Sequence, residues 1–331
     1  MNKKGLIISG LIVIALLICK FIPASILHKP IQFSPAVSTM IVIVMILVFV
    51  FVLIRTIQGK LIERRVVFVF VGVALLLPLF MQFTLPFPIS PEVQSVYDAL
   101  ERLEPGAKIL CAYDFDPPSA PELQPMADAF VKYAFERDLK LIIMGLWPQG
   151  CQQANQSIEA AFVEHPEWRT TKEYGVDYVN LGYQAGSEFV ILRMGQSFKA
   201  MFPLDLYNTP YDSIPMLKNV RNFSNVDFGM NFSAGKPGTV EWVQLAVDRF
   251  NLPMAAGNTA VQAPQVYPYV NTGQLIGLMG GMSGAAEFER LTRRMGKANT
   301  YLLSQSFAHM AVVLFIVIGN VAFIRERREK K

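Results

Sequence analysis

The sequence predicts an α/β protein: one Rossmann-like, mostly parallel sheet of about five strands with helices on both faces, anchored by four transmembrane helices. Three observations carry this. Long apolar runs bracket the chain, with 52% hydrophobic residues overall. Between them, apolar runs of strand length alternate with helix-period segments, the pattern of a parallel sheet covered on both faces. The charge also divides by region. Residues Pro88 to Thr300 carry 17 Lys/Arg against 23 Asp/Glu, and the rest of the chain carries 13 against 3, so an acidic domain sits between basic flanks.

Spans are expected at about residues 5–22, 36–54, 66–83 and 303–324, each close to the roughly 20 residues that cross a bilayer. The first has Lys20 at its end, which must snorkel. Cytoplasmic flanks attract Lys and Arg. Lys3 and Lys4, then Arg55, Lys60, Arg64 and Arg65, then the tail Arg325, Arg327, Arg328, Lys330 and Lys331 fall on one side if there are four spans. Both termini are then cytoplasmic and the main domain extracytoplasmic, in a multi-pass protein of the cell membrane. Arg290, Arg293, Arg294 and Lys297 oppose this, but residues attached to a long translocated domain weigh less.

Residues 86–91 form a Pro-rich linker, and the domain is expected over 92–302. It should open with helix Glu92 to Leu103 and strand Lys108 to Tyr113. Helix Glu122 to Arg137 follows, opened by Ser119 and a first-turn Pro121. Next come strand Lys140 to Leu146, a helix over Cys151 to Glu164, strand Asp177 to Leu181 and helix Ser187 to Phe198. Helix Met216 to Arg221, strand Val226 to Phe232, helix Thr239 to Phe250 and strand Met254 to Gly257 complete the alternation. Met201 to Pro215 reads as irregular, and Gln265 to Asn271 is Pro- and Tyr-rich. From Gly273 a long helical pattern runs towards Thr300. In it Gly277, Gly280, Gly281 and Gly284 set two overlapping small-xxx-small spacings for close packing.

In an open parallel sheet, ligands bind beyond the carboxyl ends of the strands. That places a candidate site at Asp114, Asp116 and Ser119; Trp147 and Gln149; Tyr183 and Gln184; Ser233, Lys236 and Thr239; and Asn258 and Thr259. Asp114 and Asp116, two apart, face one way in an extended chain and are the weak candidates for a metal or for acid-base work. The competing reading is structural: Asp116 fixes the turn and Asp114 caps backbone amides.

Ser233-Ala-Gly-Lys-Pro-Gly-Thr239 fails as a phosphate loop. Met230 stands where a glycine is required, and Pro237 replaces the hydroxyl residue after Lys236. Cys151 at a helix start has only His165 in the domain as a partner, at the far end of the same helix, so a Cys/His nucleophile is excluded. Cys19, Cys111 and Cys151 make no disulfide framework. Three Asn-x-Ser sequons, at Asn155, Asn222 and Asn231, occur by chance.

The suspected rim is rich in aromatic and amide side chains, with Tyr207, Tyr211, Trp242, Tyr267, Tyr269, Asn180 and Gln274 beside those above. That mix suits recognition of a peptide, sugar or partner surface. The expectation is a non-enzymatic ligand- or partner-binding or assembly module of a membrane complex, without a cofactor. Its partners are the lipid bilayer and other membrane proteins or itself; a small ligand or peptide fits, nucleic acid does not. The alternative is an extracytoplasmic hydrolase or transferase using Asp114 or Asp116, with or without a metal.

Overall fold

A computed structural model describes residues 34–58, 71–73, 75–80, 88–294 and 296–329. The chain divides into two compact units, Phe87–Asn299 and a second made of Met1–Pro86 with Thr300–Lys331.

The first unit is a Rossmann-like α/β domain. Its parallel strands are β1 (Lys108–Asp114), β2 (Lys140–Gly145), β3 (Tyr178–Tyr183), β4 (Phe228–Ser233), β5 (Met254–Asn258) and β6 (Leu278–Gly280), in the spatial order β3-β2-β1-β4-β5-β6. The strand order reverses between β1 and β4, and that is the switch point at which such sheets bind ligands. Nearly every residue of β1 and β2 is buried, because both faces are covered.

Helices α2 (Pro91–Glu101), α3 (Ala120–Glu136), α4 (Gly150–Glu164) and α8 (Gly281–Leu291) pack together on one face. On the other face, α5 (Glu188–Met194), α6 (Thr239–Trp242) and α7 (Ala263–Asn271) bury Val190, Trp242 and Val266 in one apolar cluster with Leu110, Ile142 and Met254 of the strands. Helix α6 runs on through a π-helical turn, Val243–Val247, to Asp248–Phe250.

Three expectations about elements are corrected. Helix α5 stops at Met194, short of Phe198, and at the next residue, Gly195, the absence of a Cβ lets the Phe250 ring approach, since a Cβ there would lie 2.1 Å from it. Met216 to Arg221 contributes only the short 3-10 turn Pro215–Leu217. Gln265 to Asn271 belongs to α7, whose Pro264 lies in the first turn, where no amide is needed.

The third correction is the largest. Gly273 to Thr300 is not one helix: it holds the sixth strand, β6, then α8. A short buried strand and a buried helix segment share the same apolar pattern, so periodicity does not separate them. Gly280 ends the strand and Gly281, at φ +60°, opens the helix. Close packing is still what two of these glycines provide. A Cβ at Gly284 would lie 2.8 Å from the Met279 backbone, and one at Gly277 would lie 2.4 Å from the Glu92 carbonyl oxygen of α2. Gly277→Ala is therefore expected to lower the unfolding free energy by about 1–3 kcal/mol in a denaturant titration.

Among the described residues one helix is long and apolar enough to cross a membrane: Lys297–Arg325, within α9 (Lys297–Glu329), which belongs to the second unit from Thr300 onward. Four were expected. The span at 5–22 lies outside the described residues, as do parts of the one at 66–83. Helix α1 (Pro35–Ile57) covers the second expected span and contains a shorter apolar stretch, Thr39–Val48; Val71–Phe80 is another such stretch.

Candidate functional site

The sheet ends in two sets of side chains, one buried and one exposed. The buried set centres on Asp114, the last residue of β1, which is fully enclosed. Its Oδ1 accepts from the Leu146 amide at 2.7 Å. Its Oδ2 accepts from Asn231 Nδ2 at 2.7 Å and Trp242 Nε1 at 2.8 Å. One carboxyl thus ties together the loop after β2, strand β4 and helix α6. Burial pushes it up to about 7, against the pull of these three donors, with nearby Glu241 adding to the rise.

The network continues across the switch point. Thr239 Oγ1 donates to Asn231 Oδ1 at 2.6 Å and accepts from Asn258 Nδ2 at 2.9 Å. Asn258 also donates to the Ser233 carbonyl at 3.2 Å, and the Thr259 amide reaches the same oxygen at 3.4 Å. Asp114, Ser233, Thr239, Asn258 and Thr259 are therefore brought together as neighbours, and all are buried. Gly238 must be glycine here, since a Cβ would fall 2.0 Å from Ser233 Oγ.

Trp147 crosses from the loop after β2 and donates through Nε1 to the Pro237 carbonyl at 2.7 Å. Lys236 is exposed and sits 3.4 Å from Glu241, whose other oxygen accepts from the Gly238 amide at 2.8 Å. Asp116 closes its own turn, accepting from the Ser119 amide at 3.3 Å and hydroxyl at 2.9 Å. Asp114 and Asp116 thus have separate partners. Among the described residues no group of three or more His, Cys, Asp or Glu side chains is placed to hold a metal ion. Cys151 is buried, with its thiol pushed up to about 12 by burial and by the charge of Asp114, so it is no thiolate nucleophile.

The exposed set lies beyond β2 and β3. Gln149 and Tyr183 are exposed, and Gln184 donates its amide to the Gly145 carbonyl at 3.2 Å. The segment around residues 203–210, within the irregular stretch Met201 to Pro215, folds against them: the Leu206 amide donates to the Asn180 carbonyl at 2.9 Å. Buried Asn180 donates through Nδ2 to Asn155 Oδ1 at 2.9 Å, and Asn155 Nδ2 lies 3.4 Å from the Tyr207 hydroxyl. The Tyr207 ring stands edge-on to Tyr174 at 5.2 Å between centroids.

Of the sequence-nominated residues, the structure thus joins five in the core network and leaves Gln149, Tyr183 and Gln184 at the rim. Sequence reasoning missed Glu241 and the linking roles of Asn231 and Asn155. Both asparagines stand in sequons, and Asn231 is buried in the sheet, unavailable to any glycosylating enzyme.

No protein-family model matches the chain, and no curated protein matches it. Among solved structures, a trehalose-6-phosphate synthase, OtsA, is similar at 11% identity with a TM-score of 0.24, over 68% of this chain and 47% of that one. The chain spans about half the length of that enzyme, and a likeness this faint carries no inference about activity.

Proposed function

We propose that the chain is an integral membrane protein whose extracytoplasmic α/β domain is a non-enzymatic module that binds a ligand or partner within a membrane complex. The observation that carries this reading is the division of the sheet end. The carboxylate at the switch point, Asp114, is enclosed and committed to three internal donors, while the nominated residues left facing solvent beyond β2 and β3 are amides and aromatics. Recognition needs such a rim; proton transfer needs a reachable acid or base. The apolar helix within α9, the acidic domain and the basic flanks support anchoring with the domain outside the cytoplasm.

Purification in mild detergent tests the reading: a second protein or a second copy is expected to travel with the chain, and to be lost in a Tyr183→Ala/Tyr207→Ala variant. A lone monomer that retains no ligand would count against it.

One observation favours a second reading, a hydrolase or transferase acting through Asp114. A carboxyl raised to about 7 is suited to acid-base work once loops open. That reading requires a turnover that disappears in Asp114→Asn while the protein stays folded.

A further inference from the structure

Resting on the binding reading, we infer that the rim beyond β2 and β3 takes a neutral saccharide. The segments that build the rim are almost free of charge. Residues 145–156 and 178–187, the two loops and flanking turns that build the rim, contain no Asp, Glu, Lys, Arg or His. The third segment, 203–210, has one, Asp205, and it is buried. Its carboxylate accepts from the Tyr207 and Thr209 amides at 2.9 and 2.7 Å and from the Tyr174 hydroxyl at 2.8 Å. A phosphate, a nucleotide or a charged peptide would lose water there and find no charged side chain in these segments to receive it, the exposed Lys236 beyond Trp147 being paired with Glu241.

The rim pairs exposed aromatic rings with exposed amides. Tyr183 is 39% exposed and Tyr207 58%, and Tyr207 is held upright by Tyr174 and the Asn155 amide, so its ring is fixed before anything binds. Gln149, Gln152 and Gln156 all face solvent and lie three and four residues apart, on one stripe of α4 beginning at its N-cap. Planar amides offer a donor and an acceptor side by side, and an aromatic ring offers an apolar face. A sugar ring presents the complement: vicinal hydroxyls at its edge and C–H bonds on its faces.

An extended peptide fits the rim less well. Peptide capture by strand addition needs a free sheet edge. β3 is an edge strand, but at Asn180 the outward carbonyl is taken by the Leu206 amide, and at Tyr178 the carbonyl is taken by the Gly175 amide at 2.7 Å.

The test uses the full-length protein in a detergent without a sugar head group, applied to an array of neutral oligosaccharides, with the best glycan then titrated calorimetrically. Binding to at least one neutral glycan is expected, and Tyr207→Ala and Tyr183→Ala should each weaken it roughly tenfold with thermal unfolding unchanged. An array with no neutral glycan bound, binding confined to acidic or phosphorylated glycans, or binding that survives the double variant overturns the saccharide. If the array is blank while the double variant still sheds a co-purifying protein, the binding module stands and its ligand is that protein.

Discussion

Asp114→Ala is expected to lower the unfolding free energy of the α/β domain by about 3–5 kcal/mol near pH 5. The variant leaves the Leu146 amide, Asn231 Nδ2 and Trp242 Nε1 as buried donors with nothing to receive them. Each orphan costs roughly 1–2 kcal/mol. The pH dependence separates this from a generic cavity effect. Burial raises the folded carboxyl from 3.8 to about 7. Between those values the folded protein holds a proton that the unfolded chain has released. The stability from this group is therefore complete below pH 4 and is lost as pH rises through 7, a change of roughly 4 kcal/mol in all. Denaturant titrations from pH 4.5 to 8.5 should show this fall in the wild type and not in Asp114→Asn. The penalty of Asp114→Ala should shrink above pH 7, where the wild type itself bears a buried charge. A penalty that is constant across the range would show that burial does not govern the group.

The second large effect is expected at Glu289, a buried residue of α8. Its carboxylate accepts from the Gly296, Ala298 and Asn299 amides at 2.9, 2.9 and 3.0 Å, and from Asn299 Nδ2 at 2.8 Å. These amides open α9, where the helix has unpaired donors and its dipole favours a negative charge. Burial raises the Glu289 carboxyl and the four donors pull it back. Glu289→Ala removes the acceptor from all of them and is expected to cost about 2–4 kcal/mol. Faster amide exchange at Ala298 and Asn299 should accompany the loss. Glu289→Gln, which keeps one acceptor oxygen, should fall between. Equal stability of Glu289→Ala and wild type would mean that water serves these amides as well as the carboxylate does. Two residues earlier on the same helix, Glu287 accepts from the Ser90 amide at 2.8 Å, so α8 also grips the point where the chain enters the domain.

The strands were the most legible part of the fold. Lys108 to Asp114 and Lys140 to Gly145 are continuous apolar runs ending in turn residues, and a strand buried on both faces writes that signature directly. Leu278–Gly280 was hidden because two apolar residues between glycines fit a helix equally well. Gly195 concealed its role for another reason: the ring it makes room for is Phe250, 55 residues further along the chain.

The site divides in the same way. Composition and alternation alone placed Asp114, Ser233, Thr239 and Asn258 at the carboxyl end of a parallel sheet, because each follows a strand and strand ends are local. What those residues do there depends on which strands lie side by side. Only the adjacency of β1, β4 and β5 brings Asn231 between Asp114 and Thr239 and turns a row of candidate ligands into an internal network. The rim required still more, since Tyr207 reaches Asn155 across 52 residues of chain. Local sequence sets periodicity, turns and burial, which are short-range; hydrogen-bond partners are chosen by topology, and topology is settled by packing the whole sheet at once.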